Sequence, residues 1–411
     1  MASDDMIVGL DIGTTKVAAV VGEYDENNRL QITGVGESPS YGLRRGVVIN
    51  IESTLKSVNA AIEAAEQMAG REVESVVTGI AGGHIEGLNS RGVVAVTGKG
   101  REITQNDVDR VIDAAKAVVI PMDREVLHVI PQEFIVDDQG GIRNPLDMIG
   151  VRLEAEVHII TGSVTSAQNL VKCINRSGFK VEDIVLQSLA SSKAVLSKDE
   201  QELGVLLVDL GGGTTDVLLH IDGAPYYTSV LPVGGAQVTS DLSIMLKTPM
   251  ESAEAIKRDS GCCYGSLVEE GEPVIIPGVG GRPPLSARKR DIANIIEPRM
   301  AEIFALVRER IEKKGLMKHL GGGVVLTGGG ALLNGAVELA QDVFQTAARV
   351  GQPANLGGSI NHYQRADFAT VVGLMLYRDS IVTAAGRDGQ RKEKQPGMMQ
   401  GFRGWLRNFF E

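Results

Sequence analysis

Two stretches of the chain share one pattern, in which short apolar runs surround a polar, glycine-containing turn. The first turn is Asp11-Ile12-Gly13-Thr14-Thr15-Lys16, and the second is Asp209-Leu210-Gly211-Gly212-Gly213-Thr214-Thr215-Asp216. The flanking apolar runs are 6–10, 17–21, 204–208 and 217–219. Short apolar runs bounded by turn residues are typical of buried strands. Each stretch therefore predicts two strands joined by a tight turn.

The hydrophobic pattern around the first turn predicts an α/β unit. It indicates a strand over 29–37, a helix over 51–68 and a strand over 73–80, and we assign the remaining strand to 46–50. Further along, a helix over 188–196 and a strand over 205–209 restart a similar order. Since only the two turns match in sequence, the pattern indicates a duplicated architecture.

A third glycine turn lies in the last quarter of the chain. Residues 324–327 form an apolar run that ends in Gly328-Gly329-Gly330-Ala331, and helical spacing follows over 332–344. Glycines at the end of a buried strand let the backbone approach a flat ligand closely.

Two segments interrupt the duplicated order. The first, from Gly82 to about Thr161, has predicted strands over 92–96, 125–136 and 151–160, and a helix that begins with the capping pattern Thr104-Gln105-Asn106-Asp107. The second covers about 246–314. It predicts helices over 253–260 and 292–313, with a strand and a Gly/Pro-rich loop over 273–284.

Composition narrows the class of protein. The 411 residues are 43% hydrophobic with 50 glycines, which fits a soluble α/β protein of two domains. The formal net charge of −11 argues against nucleic acid as a partner. Three cysteines, an odd number, favour a reducing cytoplasm over a disulfide framework. The six histidines show no metal-ligand spacing, and no apolar run reaches the 18 residues typical of a membrane span.

The chemistry of the two turns points to an anion. Glycines allow backbone N–H groups to turn inward around a phosphate, and threonines add hydroxyl donors. An ordinary β-hairpin remains the alternative for either copy alone. Together they predict two half-domains that grip one polyphosphate from opposite sides.

The last 26 residues differ from the rest of the chain. Residues 386–411 hold six Arg or Lys against three Asp or Glu, and 386–397 form a charged segment that we expect to be a disordered linker. On a helical wheel the apolar side chains of 398–411 fall on one arc of about 140°, beside two arginines. These residues are Phe402, Arg403, Trp405, Leu406, Arg407, Phe409 and Phe410. The pattern predicts a helix that lies on an anionic lipid surface, and docking on the protein's own core is the alternative.

The two phosphate-type turns, the Thr327-Gly-Gly-Gly-Ala331 turn and the amphipathic tail together resemble the FtsA family, the bacterial actin homologues of cell division. Three further stretches resemble that family specifically. They are Val126-Leu-His-Val-Ile-Pro-Gln-Glu-Phe134, Gly141-Ile-Arg-Asn-Pro145 with Gly150-Val-Arg152, and Gly280-Gly-Arg-Pro-Pro284 leading to Ile296-Glu-Pro-Arg299.

The resemblance implies an actin/DnaK-type ATPase fold of two duplicated half-domains with an inserted IC subdomain. By analogy the subdomains are IA (1–83 and 162–198), IC (84–161), IIA (199–245 and 315–385) and IIB (246–314). A linker (386–397) and a membrane-targeting helix (398–411) complete the expected organisation.

The resemblance also implies ATP and Mg²⁺ in the cleft between the halves. Asp11 and Asp209 would hold the metal through water. Glu254 and Lys257 resemble a ribose-contacting pair, although a solvated ion pair is an equal alternative on sequence alone. The other nucleotide-contacting residues would be Gly13, Thr14, Thr15, Lys16, Gly211, Gly212, Gly213, Thr214, Thr215, Gly328, Gly329 and Gly330. Gln187 falls where a water-positioning residue is expected, and we expect tight ATP binding with slow or negligible turnover.

The family's partners give the remaining expectations. The acidic C-terminal peptide of FtsZ would dock on IIB at Arg299, and IC would contact neighbouring protomers of a filament and later division proteins. The protein would then act at the division site, on the cytoplasmic face of the inner membrane. A soluble actin-fold ATPase or phosphotransferase is the competing interpretation, and a pilus-assembly scaffold related to FtsA is a third.

Overall fold

The computed structural model describes residues 6–388, except 98, 270, 272, 355 and 358–361. The strands, in chain order, are β1 (Met6–Ile12), β2 (Lys16–Tyr24), β3 (Leu30–Pro39), β4 (Leu43–Arg44), β5 (Val47–Val48), β6 (Ser75–Ile80), β7 (Glu86–Ala95), β8 (Arg124–Val136), β9 (Gln139–Ile142), β10 (Arg152–Ser163), β11 (Lys180–Leu186), β12 (Val205–Leu210), β13 (Thr215–Ile221), β14 (Ala224–Leu231), β15 (Val274–Ile276), β16 (Leu285–Ala287), β17 (Val324–Thr327) and β18 (Ala348–Val350).

The helices pack around these strands. In chain order they are α1 (Ile51–Ala69), α2 (Gln105–Ala115), α3 (Val164–Arg176), α4 (Gln187–Val195), α5 (Lys198–Leu203), α6 (Gly235–Leu246), α7 (Met250–Ser260), α8 (Lys289–Lys313), α9 (Ala336–Phe344) and α10 (Ala369–Asp388). None of those in the part of the chain that the structure describes is both long and apolar enough to cross a membrane.

Two five-stranded sheets have the same topology. The first half has the order β11-β6-β1-β2-β3 and the second half β14-β13-β12-β17-β18. In each sheet three strands form an antiparallel meander, and two further strands run parallel to the first strand of the meander. The predicted duplication of architecture is therefore confirmed.

The fifth strand of the first sheet differs from the prediction. It is β11, parallel to β6, and the assignment of 46–50 was wrong. Only Val47–Val48 is extended there, and it pairs with Leu43–Arg44 in a separate hairpin. Gly46 turns the chain with a φ of 78°, and Asn50 caps α1 by accepting a hydrogen bond from the Ser53 N–H, so no room remains for a longer strand.

The segment from β7 to β10, called the insert below, has its own sheet and core. Its antiparallel strands have the order β7-β10-β8-β9, and α2 packs against them. Thr104 caps α2 in a reciprocal capping box with Asp107, as the sequence pattern predicts. The first predicted strand of the insert is longer than expected, since β7 begins at Glu86 rather than at Gly92.

The second interruption contains α7, the small β15–β16 hairpin and α8, in agreement with the predicted helices. The helix expected over 332–344 begins later, at Ala336. Gly335 ends the preceding turn with a φ of 82°, and a Cβ there would lie 2.6 Å from the Cβ of Tyr264. This left-handed position favours glycine and delays the start of α9.

Two helices connect the halves and cross each other. Helix α4 leads from β11 into the second half, while α10 returns from the second half to pack on β1 and α4. A Cβ on Gly373 of α10 would lie 1.9 Å from the Ala190 carbonyl of α4, and one on Gly9 of β1 would lie 2.5 Å from the Val371 carbonyl. The backbones therefore touch at both crossings, which glycine alone permits.

Helix α10 continues to Asp388, so the first three residues of the expected disordered linker 386–397 are helical. Ala384 and Ala385 are strong helix formers, and adding residues to an existing helix costs little. The rest of the linker and the whole tail, 398–411, lie outside the described residues.

Candidate functional site

The tips of the two predicted hairpins have the same local geometry. The Gly13 N–H donates to the Lys16 carbonyl and the Gly211 N–H donates to the Thr214 carbonyl, each over 2.9 Å. These bonds close equivalent turns after β1 and after β12. The strand-turn-strand prediction holds at both sites.

The two tips face each other across the cleft between the halves. A Cβ on Gly212 would lie 2.4 Å from Thr15 Cγ2, and a Cβ on Gly213 would lie 2.5 Å from Thr14 Oγ1. Any other residue at these two positions would force the facing threonine, or the tip that carries it, to shift. The structure thus brings together the loops that the sequence predicts to act on one ligand.

The threonine hydroxyls of the two tips differ in whether their protons are already used in hydrogen bonds within the protein. Thr214 donates to Asp216 Oδ2 over 2.9 Å, and the buried Thr215 donates to the Val233 carbonyl over 2.9 Å. Thr14 accepts from the Gly46 N–H and keeps its own hydroxyl proton, and Thr15 is exposed. The expectation that Thr215 donates its hydroxyl to a phosphate finds no support in this geometry.

Three carboxylates gather beneath the tips. Burial and the charge of Asp209 raise the pKa of Asp11 to about 7, against the opposing effect of Lys16. The same two causes raise the pKa of Asp216 to about 8. Burial also raises the pKa of Asp209, although hydrogen bonds to its carboxylate act against this. Among the described residues, Lys16, which acts on Asp11, is the one positive charge that lowers a pKa in this cluster of three carboxylates.

Sequence reasoning missed Asp216 as a site residue. It pairs with Asp209 across the β12–β13 hairpin, where the equivalent partner of Asp11 is Ala18. Its Oδ1 atom is buried and has no hydrogen-bond partner among the described residues. The sequence shows that an acidic residue, Asp216, closes the second turn. Counting residues back across the predicted hairpin places it opposite Asp209, and this could have identified it as a site residue.

The helices that connect the halves donate to this cluster. Ser191 of α4 donates to Asp209 Oδ2 over 2.6 Å, and Thr370 of α10 donates to the same atom over 3.2 Å. Gln187 is the first residue of α4, and its Nε2 donates to Asp11 Oδ1 over 2.7 Å. Gln187 therefore stands on the helix that joins the halves, as expected, with its amide bound to Asp11.

A divalent cation fits the chemistry of the cluster. The carboxylates of Asp11 and Asp209 and the unpartnered oxygen of Asp216 are hard oxygen ligands that lack a neutralising charge. Within the described residues no group of three His, Cys, Asp or Glu side chains is arranged to ligate a metal directly. These oxygens suit a cation that keeps its water, such as Mg²⁺.

Lys16 is held beside the first tip. Its Nζ lies 2.9 Å from Asp367 Oδ2 and 3.9 Å from the centre of the Phe368 ring. Arg365 also binds Asp367 Oδ2, over 2.7 Å. A phosphate group would have to compete with Asp367 for the Lys16 ammonium.

The third glycine turn packs mainly against the protein itself. Gly328 has a φ of 79°, and a Cβ there would lie 2.3 Å from Asp209 Oδ1. A Cβ on Gly330 would lie 2.7 Å from the Cβ of Leu210. Gly329 is exposed, and a Cβ there would have its nearest neighbour, the Cβ of Asp367, at 4.0 Å. Of the three, Gly329 is the position where a ligand can approach the backbone.

Glu254 and Lys257 form the expected pair on α7. Lys257 Nζ lies 2.6 Å from Glu254 Oε2, and it also donates to Thr239 and to the Gly235 carbonyl. The ammonium is thereby fixed at the first turn of α6. The pair is not merely a solvated surface bridge.

The start of α6 is a part of the site that the sequence analysis missed. The N–H groups of Gly235 and Ala236 donate to the carbonyls of Gly211 and Gly212, over 2.9 and 2.8 Å. A Cβ on Gly234 would lie 2.4 Å from the Gly211 carbonyl. The glycine pair just before a helical pattern was the signal in the sequence. The bonds fix the second tip to the helix.

Arg299 lies on α8, beside α6. It forms two hydrogen bonds with Asp241 of α6, of 2.6 and 3.2 Å, and a further ion pair with Glu302. The hydrogen bond to Asp241 is the main cause that raises the pKa of Arg299 above its ordinary value. Two carboxylates of the chain already neutralise this guanidinium. The membrane residues expected in the tail lie outside the described residues.

Comparisons with known proteins agree on one family. The family model described as "SHS2 domain inserted in FTSA" matches residues 82–161, and the model "Cell division protein FtsA" matches residues 206–373. The protein called "Cell division protein FtsA" of Borreliella burgdorferi is 51% identical over 92% of this chain and 91% of its own. The protein of the same name from Pseudomonas aeruginosa is 46% identical over 91% of this chain and 89% of its own.

Solved structures share the fold at low sequence identity. A type IV pilus biogenesis complex, PilM-PilN, matches with a TM-score of 0.63 and 16% identity, over 90% of this chain and 98% of that chain. MreB5 of Spiroplasma citri bound to ADP matches with a TM-score of 0.57 and 14% identity, over 94% and 99%. The predicted actin-like ATPase fold is confirmed.

The carboxylate cluster predicts a decline in stability as pH rises. The pKa values of Asp11 and Asp216 are higher in the folded chain than the ordinary value of 3.8, so the folded state holds protons that the unfolded state has lost. Without nucleotide and divalent cations, we expect the free energy of unfolding to fall by about 1–3 kcal/mol between pH 6 and pH 8. Urea denaturation at the two pH values measures this fall.

Removing one carboxylate tests the cause. Asp216→Asn should flatten the decline and make the protein more stable than wild type at pH 8. Asp138→Asn, on a fully exposed side chain, is the control and should follow the wild-type curve. An Asp216→Asn protein with the wild-type decline would contradict this account of the cluster.

Proposed function

The chain belongs to the FtsA family of cell division proteins, and from that membership we propose that it binds ATP with Mg²⁺ between its halves and polymerises on the membrane, where it anchors FtsZ filaments and recruits later division proteins. The observation that carries the proposal is the contact between the two hairpin tips above the buried carboxylates. Backbone N–H groups and threonine hydroxyls suit phosphate. The buried carboxylates of Asp11, Asp209 and Asp216 suit a hydrated cation.

The nucleotide would lie against parts of both halves. Gly13, Thr14 and Thr15 would face its phosphates from the first half and Gly211 to Gly213 from the second. Gly329 would face the adenosine side, with the Glu254–Lys257 pair near the start of α6. The solved MreB5 structures are bound to ADP and to AMPPNP, which supports a nucleotide as the ligand of this fold.

We propose that turnover is slow. A water-positioning residue has to present its amide to the attacking water. In this chain the Gln187 amide donates to Asp11 over 2.7 Å, so it is already bound to a carboxylate. The cleft would then serve chiefly to hold ATP and set the shape of the protomer.

The proposal places FtsZ on the α6–α8 surface. Arg299 is partly exposed, and its partners Asp241 and Glu302 are carboxylates of the same kind that an acidic peptide would bring. The peptide would exchange with these internal partners instead of meeting a free guanidinium. Binding of this kind is expected to be moderate and sensitive to salt.

The membrane part of the proposal rests on the sequence of the tail. A segment with one Trp, three Phe and two Arg in its last ten residues suits the interface of an anionic membrane. One such helix binds weakly, and a polymer of protomers would multiply the attachment. The site of action would be the cytoplasmic face of the inner membrane at the division site, and the insert would meet neighbouring protomers and later division proteins.

Nucleotide binding gives the first prediction from the proposed function. Gly213→Ala should weaken the binding of a fluorescent ATP analogue at least about tenfold, because the new methyl group would meet Thr14 and separate the tips. Fluorescence titration with Mg²⁺ measures the affinity, and phosphate release should be slow. Gly140→Ala is the control, since its Cβ would meet only ordinary contacts at 3.5 Å. A wild-type protein that binds no ATP, or that releases phosphate rapidly, would contradict the proposal.

The second prediction concerns the FtsZ peptide. Arg299→Gln should weaken binding of a labelled FtsZ C-terminal peptide by about fivefold or more, and Asp241→Asn should strengthen it, because it releases the guanidinium from its internal partner. Fluorescence anisotropy measures both affinities, and ATP affinity serves as the control for folding. If neither variant changes peptide affinity, Arg299 is not part of the contact.

The third prediction concerns the tail. The intact protein should pellet with liposomes that contain anionic lipid, and a chain that ends at Asp388 should stay in the supernatant. Trp405→Ala should weaken the association about tenfold, as the loss of one buried aromatic side chain implies. Asn408→Ala, off the apolar arc of the helical wheel, is the matched control. Equal pelleting of the intact and shortened chains would favour a tail that docks on the protein's own core.

A further inference from the structure

A buried histidine of the insert reaches into the first half. His128 of β8 is 7% exposed, and its Nε2 accepts a hydrogen bond of 3.0 Å from the Leu186 N–H. Its ring also forms a T-shaped pair with the Tyr377 ring of α10, with 6.1 Å between the ring centres. Leu186 is the last residue of β11. One side chain of the insert thus holds the backbone where β11 passes into α4.

The residue that follows Leu186 is part of the candidate site. Gln187 begins α4 and donates to Asp11 Oδ1 over 2.7 Å. Its side chain lies tightly over Gly79, where a Cβ would be 2.7 Å from Gln187 Cγ. Leu186 occupies the N-cap position of α4 and supplies no side-chain cap. The direction in which Gln187 leaves β11 therefore depends on how the Leu186 N–H is held.

The acceptor role of His128 requires a neutral ring with its proton on Nδ1. Burial, together with the nearby His158, lowers the pKa of His128 to about 4. The ring is thus neutral near pH 7, and Nε2 keeps the lone pair that the Leu186 N–H needs.

The same insert also touches the second half. His158 Nε2 lies 3.0 Å from Thr228 Oγ1 of β14, and Gln132 Nε2 donates to the Pro225 carbonyl over 3.0 Å. Strand β14 pairs with β13, which carries Asp216 below the second tip. A change in the separation of the halves must therefore move the insert relative to at least one of them.

We propose that His128 is a positioning residue for the nucleotide cleft: it holds Leu186 so that Gln187 meets Asp11, and it thereby couples the orientation of the insert to occupancy of the cleft. The inference rests on the proposed function, in which the cleft binds ATP. Coupling between two sites is reciprocal. A protein that binds the insert and tilts it would change the affinity for ATP by the same factor by which ATP changes the affinity for that protein.

The test compares side chains that differ in reach. In the full-length protein, His128→Gln keeps an acceptor oxygen at nearly the position of Nε2, His128→Asn places it too short to meet Leu186, and His128→Leu removes it. We expect His128→Leu and His128→Asn to bind a fluorescent ATP analogue about fivefold to tenfold more weakly, the loss that corresponds to one buried hydrogen bond, and His128→Gln to remain close to wild type. The Gln and Asn pair decides the matter if the Leu variant does not fold.

Hydrogen exchange supplies a readout that a merely structural role would not change. In the wild type, ATP should slow amide exchange in β8 and at the start of α4 together. In His128→Asn the effect should persist at the cleft and be lost in β8. His220→Leu is the control for the loss of a buried histidine, because His220 is 3% exposed and lies at the end of β13 away from the tip.

Failure of the proposed function and failure of the proposed coupling give different results. If the wild type binds no ATP, the proposed function fails. If the wild type binds ATP and His128→Asn binds it equally well, with the same protection of β8, the coupling is overturned while the proposed function stands.

Discussion

The burial of three neighbouring carboxylates away from water is the constraint on which the centre of this structure depends. Asp11, Asp209 and Asp216 lie together under the hairpin tips, and burial raises the pKa of each, with the charge of Asp209 adding to the rise for Asp11 and Asp216. Neutral donors compensate in part: Gln187 binds Asp11, and Ser191 and Thr370 bind Asp209. These three donors belong to the two helices that join the halves. The hydrogen bonds that stabilise the buried carboxylates therefore also fix the position of one half relative to the other.

This arrangement would link a cationic ligand to the relation of the two halves. A hydrated metal ion would supply the positive charge that the three carboxylates lack, and it would share their oxygens with the donors on α4 and α10. Nucleotide phosphates would add negative charge at the tips and draw on Lys16, which is now bound to Asp367. Each change acts on a contact between the halves. Occupancy of the cleft and the relation of the halves are thus linked through named side chains.

The sequence predicted best those features that are local. Both hairpins, α1 and the capping box of α2 follow from patterns within a few residues, and the structure contains them. The fifth strand of the first sheet was assigned to 46–50, whereas it is β11. That strand pairs in parallel with β6, about a hundred residues earlier, and no local sequence pattern indicates such a pairing. The occupied hydroxyl of Thr215 and the ion pair between Arg299 and Asp241 also depend on partners remote in sequence. Resemblance to a family suggested the ligand class that we propose for the site, whereas the free or occupied state of each side chain required the structure.

Helix α10 has a mechanical consequence. Near its first turn Thr370 binds Asp209, and further along Gly373 lies against the Ala190 carbonyl of α4. Its later residues are tied down by the bonds between Asp379 and Tyr24 and between Arg378 and Glu182. A helix of 20 residues is about 30 Å long, and the chain leaves it at Asp388. Any tension applied to the chain beyond that point reaches the bonds to Tyr24, Glu182 and Lys193 before it reaches Thr370, and because Lys193 belongs to α4, part of the load passes to the helix that carries Gln187 and Ser191.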